Sequence, residues 1–180
     1  MIRTNRLTLV PGTVALVQAE IHDRESFAQQ LDATVPDNWP PATLVDALPL
    51  FLGWMESALP GSRGWYAWYA LTHADSTSSP VLIGGGGFLG PPDAGSVQMG
   101  YSVLDQFQRQ GYATEIVRAL SNWAFSHDAV ERIAAETEWA NPASVRVLEK
   151  TGFVSAGQAT EQGGASFVLH RAARAAPLLR

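Results

Sequence analysis

The chain has 180 residues, 46 % of them hydrophobic and 16 % charged, with a net charge of −5. That is the length of one domain (1–180), able to bury roughly 70 % of its unfolded surface, and the apolar content excludes intrinsic disorder. The absence of cysteine excludes disulfides, a thiol nucleophile and cysteine-ligated zinc, and the basic side (Lys150 and otherwise arginine) holds no run that would track nucleic acid.

Arg6 to Val10 alternates as a short strand that Pro11-Gly12 ends. Its apolar content is too brief for a signal peptide, so it reads as the first strand of a cytoplasmic domain. Thr13 suits the cap of a helix towards Ile21, and Ser26 to Leu31 forms a second helical stretch. After the stiff joint Trp39-Pro40-Pro41, Ala42 to Leu59 has helical spacing that Pro49 should split or kink. The longest apolar stretch, Ala47 to Met55, is too short to cross a bilayer. Trp65 to Thr72 reads as a buried strand, joined across a polar loop from Ala74 to Pro80 to a second at Val81 to Leu89, in a hairpin. Ser96 to Leu104 alternates, with Val97, Met99, Tyr101 and Val103 on one face. Gly111 to His127 is helical, Arg132 to Trp139 a strand, and Pro142 to Thr151 a short helix. Phe153 to Gly157 and Ser166 to His170 complete an α/β chain with one mixed sheet.

Gly85-Gly86-Gly87-Phe88-Leu89-Gly90 satisfies the dinucleotide pattern GxGxxG, but Pro91-Pro92 follows where a helix should open. These glycines read better as a strand whose backbone is closely approached. Gln108-Arg109-Gln110-Gly111-Tyr112-Ala113-Thr114 lies between a strand and an amphipathic helix. It is either a plain tight turn or a pyrophosphate cradle of helix-start amides. Asn141-Pro142-Ala143-Ser144 opens a helix that runs through Leu148-Glu149-Lys150 and stops at Gly152-Phe153, well formed as plain structure with an Asn cap and Pro at the first position.

Together these residues resemble the GNAT acetyltransferases, and in particular their Rim-type branch. The family's pyrophosphate pattern appears as Gln108-x-x-Gly111-x-Ala113, the branch's later signature as Asn141, Ser144 and Leu148 to Phe153, and its first strand as Thr4 to Leu9. The resemblance implies a splayed, mostly antiparallel sheet of about six to seven strands with helices on it, and acetyl-CoA lying between the strands ending near Leu104 and Trp139. It implies amides around Val103 and Leu104 on the acetyl oxygen, and Arg109 to Thr114 on the pyrophosphate. A primary amine, on a protein N-terminus or a small molecule, would attack the thioester directly in a ternary complex.

For the base the resemblance favours Glu136, with Glu138 in reserve; the bland reading makes both solvated edge charges. Gln98 stands where relatives commonly have Glu, and an amide accepts no proton. Leu148 stands where many relatives have Tyr, which leaves Ser144 as the local donor to the leaving thiolate, or as an ordinary first-turn residue. Trp39, Trp54, Trp65 and Trp68 suit either core or an acceptor pocket. Ser126-His127-Asp128 spells a triad in a row, but helical neighbours point apart. His22, His73 and His170 lack partners at ligand spacing, so no metal is expected. Two rivals remain: a non-catalytic acyl-CoA-binding module, distinguished by a lack of thiol release with amines, and a dinucleotide-binding protein, which requires NAD binding.

Overall fold

A computed structural model of the chain describes residues 1–74, 78–158 and 163–172. The strands are β1 (Ile2–Arg3), β2 (Leu7–Pro11), β3 (Ala67–Thr72), β4 (Leu82–Phe88), β5 (Ser96–Val103), β6 (Arg132–Glu138), β7 (Val154–Gln158) and β8 (Gly164–His170). The helices are α1 (Val14–His22), α2 (Arg24–Leu31), α3 (Ala42–Val45), α4 (Leu48–Ser57), α5 (Tyr112–Phe125) and α6 (Pro142–Lys150), with one 3₁₀ turn at Asp105–Phe107.

All eight strands form one sheet in the order β1-β2-β3-β4-β5-β6-β8-β7. Every neighbouring pair is antiparallel except β5 and β6. The count exceeds the expected six or seven because Thr4, its N–H donating to the Leu7 carbonyl, turns Ile2–Arg3 back onto β2.

The helix starts follow side-chain chemistry. Thr13 accepts from the Leu16 N–H, Asp23 from Ser26 and Asn141 from Ser144, each satisfying an amide the helix leaves unpaired. Pro49 falls within the first turn of α4, where its missing N–H costs nothing, so the break precedes it at Asp46–Ala47. The centre of the polar loop expected over Ala74 to Pro80 lies outside the described residues.

Each face of the sheet carries its own core. On one, Ile116, Val117 and Leu120 of α5 pack with Ile83, Val97, Met99 and Ile133; on the other, Leu16 and Val17 of α1 and Phe27 of α2 pack with Tyr69, Leu71 and Leu82. The glycine run lies within β4, between β3 and β5, and opens no helix. A Cβ on Gly85 would lie 2.4 Å from the Trp68 carbonyl oxygen, and one on Gly87 1.7 Å from that of Tyr66. Close backbone approach accounts for these glycines, so the dinucleotide reading falls away.

Ser126 Oγ does come within 3.4 Å of His127 Nδ1, because α5 has ended at Phe125 and the two residues sit in a turn. Both atoms also bond the Trp123 carbonyl, at 2.6 and 2.9 Å. A ring nitrogen that donates to a carbonyl cannot also accept a serine proton, so this pair makes no nucleophile.

Candidate active site

The parallel pair β5/β6 is in register only from Ser96–Arg132 to Met99–Ala135. Beyond it β5 stays paired to β4, and β6 to β8, so the sheet splits. In an antiparallel ladder successive residues turn their amides to opposite sides. The Leu104 N–H donates to the Ile83 carbonyl at 2.9 Å. Tyr101 and Val103 therefore point into the split while Leu104 points away. Leu104 is a correction to the sequence expectation: its amide is engaged and its side chain is 3 % exposed in the core beside α1. The Val103 carbonyl, facing the split like its N–H, accepts from Gln108 Nε2 at 3.0 Å, and the same amide nitrogen reaches Asp105 Oδ1 at 2.8 Å. Gln108 thus braces the turn that follows β5.

Arg109 (φ 58) and Gly111 (φ 84) both adopt the left-handed region, which bends the loop sharply into α5. Gly111 caps α5 without a side chain, and the helical bonds begin with Glu115 N–H to the Gly111 carbonyl. The amides of Tyr112, Ala113 and Thr114 consequently have no partner within the helix, and the positive end of its dipole faces the same way. Gln110 turns its side chain to the Gln106 carbonyl.

Arg6 holds this loop from outside. Its Nη1 donates to the Gln110 carbonyl at 2.9 Å, its Nε and Nη2 to Glu115 at 2.8 Å, and its guanidinium lies 4.4 Å from the centre of the Tyr112 ring. Burial alone would push the Glu115 carboxyl up, but the Thr4 hydroxyl and the Arg6 amide and guanidinium outweigh it and hold the group below its ordinary value. Sequence reading passed over this latch, since Arg6 and Glu115 are 109 residues apart.

From the opposite wall α6 presents Asn141 and Ser144. The Asn141 oxygen is used on the Ser144 amide, 3.1 Å away. Ser144 Oγ lies 2.8 Å from the Tyr101 hydroxyl, which also donates to the Ser144 carbonyl at 3.1 Å. Either hydroxyl can be the donor across the 2.8 Å contact, so the tyrosine proton, turned to Ser144 Oγ in place of the carbonyl, leaves the serine proton free for another acceptor. Burial pushes the Tyr101 phenol up, and the Ser144 bond offsets this only in part. Leu148 is fully buried in the core. The nearby hydroxyls therefore come from β5 and the first turn of α6.

These parts enclose a cleft of about 390 Å³, lined by Tyr101 to Val103, Gln108, Arg109, Gly111 to Thr114, Asn141 and Ser144 among others. Its lining also includes Arg146 and Lys150, so among the described residues three cations line it and no Asp or Glu does. In a chain of net charge −5 this is a local reversal suited to a polyanion. Glu136 and Glu138 are exposed on β6 beyond the last β5 pairing, and neither lines the cleft. Glu136 shares a sheet face with Gln98, which pairs with Ala134 two residues earlier.

Residues 13–154 match the family model described as an acetyltransferase (GNAT) domain. The chain belongs to this family. It is accordingly an acyltransferase. A curated relative, the uncharacterized N-acetyltransferase YjdG of Bacillus subtilis, is 30 % identical over 155 residues, covering 86 % of this chain and 89 % of that protein. Among solved structures, the ribosomal-protein-S5-alanine acetyltransferase of Vibrio fischeri superposes with a TM-score of 0.59 at 15 % identity, over 94 % of this chain and 95 % of that one. AAC(6')-Ib in complex with paromomycin and acetyl-CoA superposes at 0.58 with 19 % identity, over 93 % and 94 %. At such identities these two establish the shared GNAT fold. Among the described residues no helix is long and apolar enough to cross a membrane, and no group of three or more potential ligands is placed to hold a metal.

Proposed function

We propose that the chain is one domain that transfers the acetyl group of acetyl-CoA to a primary amine in a ternary complex, within the Rim-type branch. The observation that carries this reading is the cleft at the split of β5 and β6: among the described residues, three cations and no carboxylate, beside the open amides of the α5 start. A pyrophosphate fits the amides from Arg109 to Thr114, with Arg146 and Lys150 beside its charge. The acetyl oxygen is held by the Val103 amide, the nearest to the loop of those turned into the split. The branch assignment rests on the Asn141–Ser144 and Leu148–Phe153 signature, and is supported by the fold shared with a ribosomal-protein acetyltransferase.

The amine nitrogen forms its bond to the acetyl carbon as the carbon–sulfur bond breaks. The proton it loses passes to Glu136, through solvent, since that carboxylate is exposed beyond the cleft. The departing thiolate is a better leaving group than an alkoxide, yet still gains from a hydrogen-bond donor. Ser144, backed by Tyr101, supplies it. The deciding experiment is thermal unfolding with acetyl-CoA, CoA, NAD and ATP. Saturation at about a hundred times Kd adds about 2.7 kcal/mol of stability. A rise in midpoint with acetyl-CoA and CoA alone, followed by thiol release with amines, is the expected result; a rise with NAD alone overturns the reading.

A further inference from the structure

We infer that the acceptor is a bifunctional amine, whose second, cationic end sits in a separate aromatic cavity with Glu20 as its counter-charge. This rests on the reading that the chain acetylates amines, and it names the class of amine.

On the α1 side of the sheet lies a cavity of about 280 Å³, walled by Trp39, Phe51, Tyr66 and Tyr69 and by Leu44 and Leu48. Among the described residues Glu20 is the single one of ordinary charge in its lining, and no Lys, Arg or His lines it. Trp39 Nε1 donates to one carboxylate oxygen at 2.8 Å and the Tyr69 hydroxyl to the other at 2.5 Å. Both donors are neutral, and among the described residues Glu20 has no ion-pair partner. Its carboxylate is therefore oriented but uncompensated, and each oxygen keeps a free lone pair. Burial pushes its pKa up, more than the two hydrogen bonds offset, so a positive charge arriving there relieves a standing cost. The surrounding ring faces attract the same kind of group.

The strand register says which end of the acceptor this is. Tyr69 is opposite Gly85, and Gly85 is opposite Ser102. With strands about 4.8 Å apart, Tyr69 and Ser102 are about 10 Å apart across the sheet. Tyr101 and Ser102 line both this cavity and the cationic cleft, so the two spaces meet at β5. Glu20, bonded to Tyr69, marks the β3 side of the cavity. That placement suits a cation at the other end of an apolar chain from a nitrogen attacking at β5.

The test compares putrescine, cadaverine and hexamethylenediamine with butylamine, pentylamine and hexylamine. A charge-assisted contact predicts diamines favoured about tenfold or more in kcat/KM. In Glu20→Gln the amide still accepts from Trp39 and can donate to the Tyr69 oxygen, so the fold persists, which thermal unfolding checks; the diamine-to-monoamine ratio should fall to near one. Gly100 lines the same cavity, and a Cβ there meets nothing within 4 Å. Gly100→Leu should therefore raise KM for diamines while the stabilisation by acetyl-CoA persists. Equal rates for both amine series in the parent protein, or an unchanged ratio in Glu20→Gln, overturns the inference alone. If acetyl-CoA stabilises the protein and no amine of any kind is acetylated, the amine-transfer reading fails, and the inference with it.

Discussion

The two spaces that meet at β5 are built on opposite principles. The cleft beside α5 and α6 is made of backbone: helix-start amides, a left-handed turn at Gly111, and cations around them. The cavity beside α1 is made of side chains: aromatic rings from separate segments and one oriented carboxylate. A backbone cradle suits a ligand part common to all members of a family, since its geometry needs little more than a glycine and a helix. A side-chain box can change with each substitution, which suits an acceptor that varies.

Gly111→Glu attacks the backbone side most severely. It places a residue disfavoured at φ 84 in the loop, with its Cβ 3.4 Å from the Arg6 guanidinium that holds the loop in place. Acetyl-CoA affinity should fall by about a hundredfold or more, the combined scale of a strained residue and a lost charge-assisted contact, as read by calorimetry. Normal affinity would show that the loop does not hold the pyrophosphate. Next in size, Glu136→Gln should lower kcat by about a hundredfold near neutral pH, the usual range for a lost base, with acetyl-CoA affinity retained. A pH–rate profile identical to that of the parent would remove Glu136 from the mechanism.

Tyr101→Phe takes the support from Ser144 at the junction of the two spaces. It should cost about tenfold in kcat, the scale of one hydrogen bond, with little change in either KM. A change in KM alone would make Tyr101 a packing residue.

The smallest effect concerns the latch. Glu115→Gln should cost about 1 kcal/mol at neutral pH, discounted for the partly exposed Arg6. The Glu115 pKa is lowered by folding, so its contribution is complete above the ordinary value of 4.5 and is lost as the pH falls through the depressed one. Denaturant titrations of both proteins should therefore converge in acid and separate above it.

These contrasts explain what was legible. Helix caps at Thr13 and Asn141, the alternation of β5 and the Gly111 turn are local patterns, and each appeared where the sequence placed it. Val103 and Leu104 show the limit of that reading. Both lie at the end of β5, yet only the pairing with β4 decides which amide faces the split.

The sequence by itself determined most of the elements and the helix starts at Thr13, Gly111 and Asn141, because capping, glycine conformation and hydrophobic period act over a few residues. The tertiary structure alone decided that Arg6 clasps Glu115, that Tyr101 backs Ser144, that three cations share one cleft, and that Glu20 meets Trp39 and Tyr69. Each joins residues tens of positions apart in the chain, and such meetings are set by strand order and register rather than by local spacing.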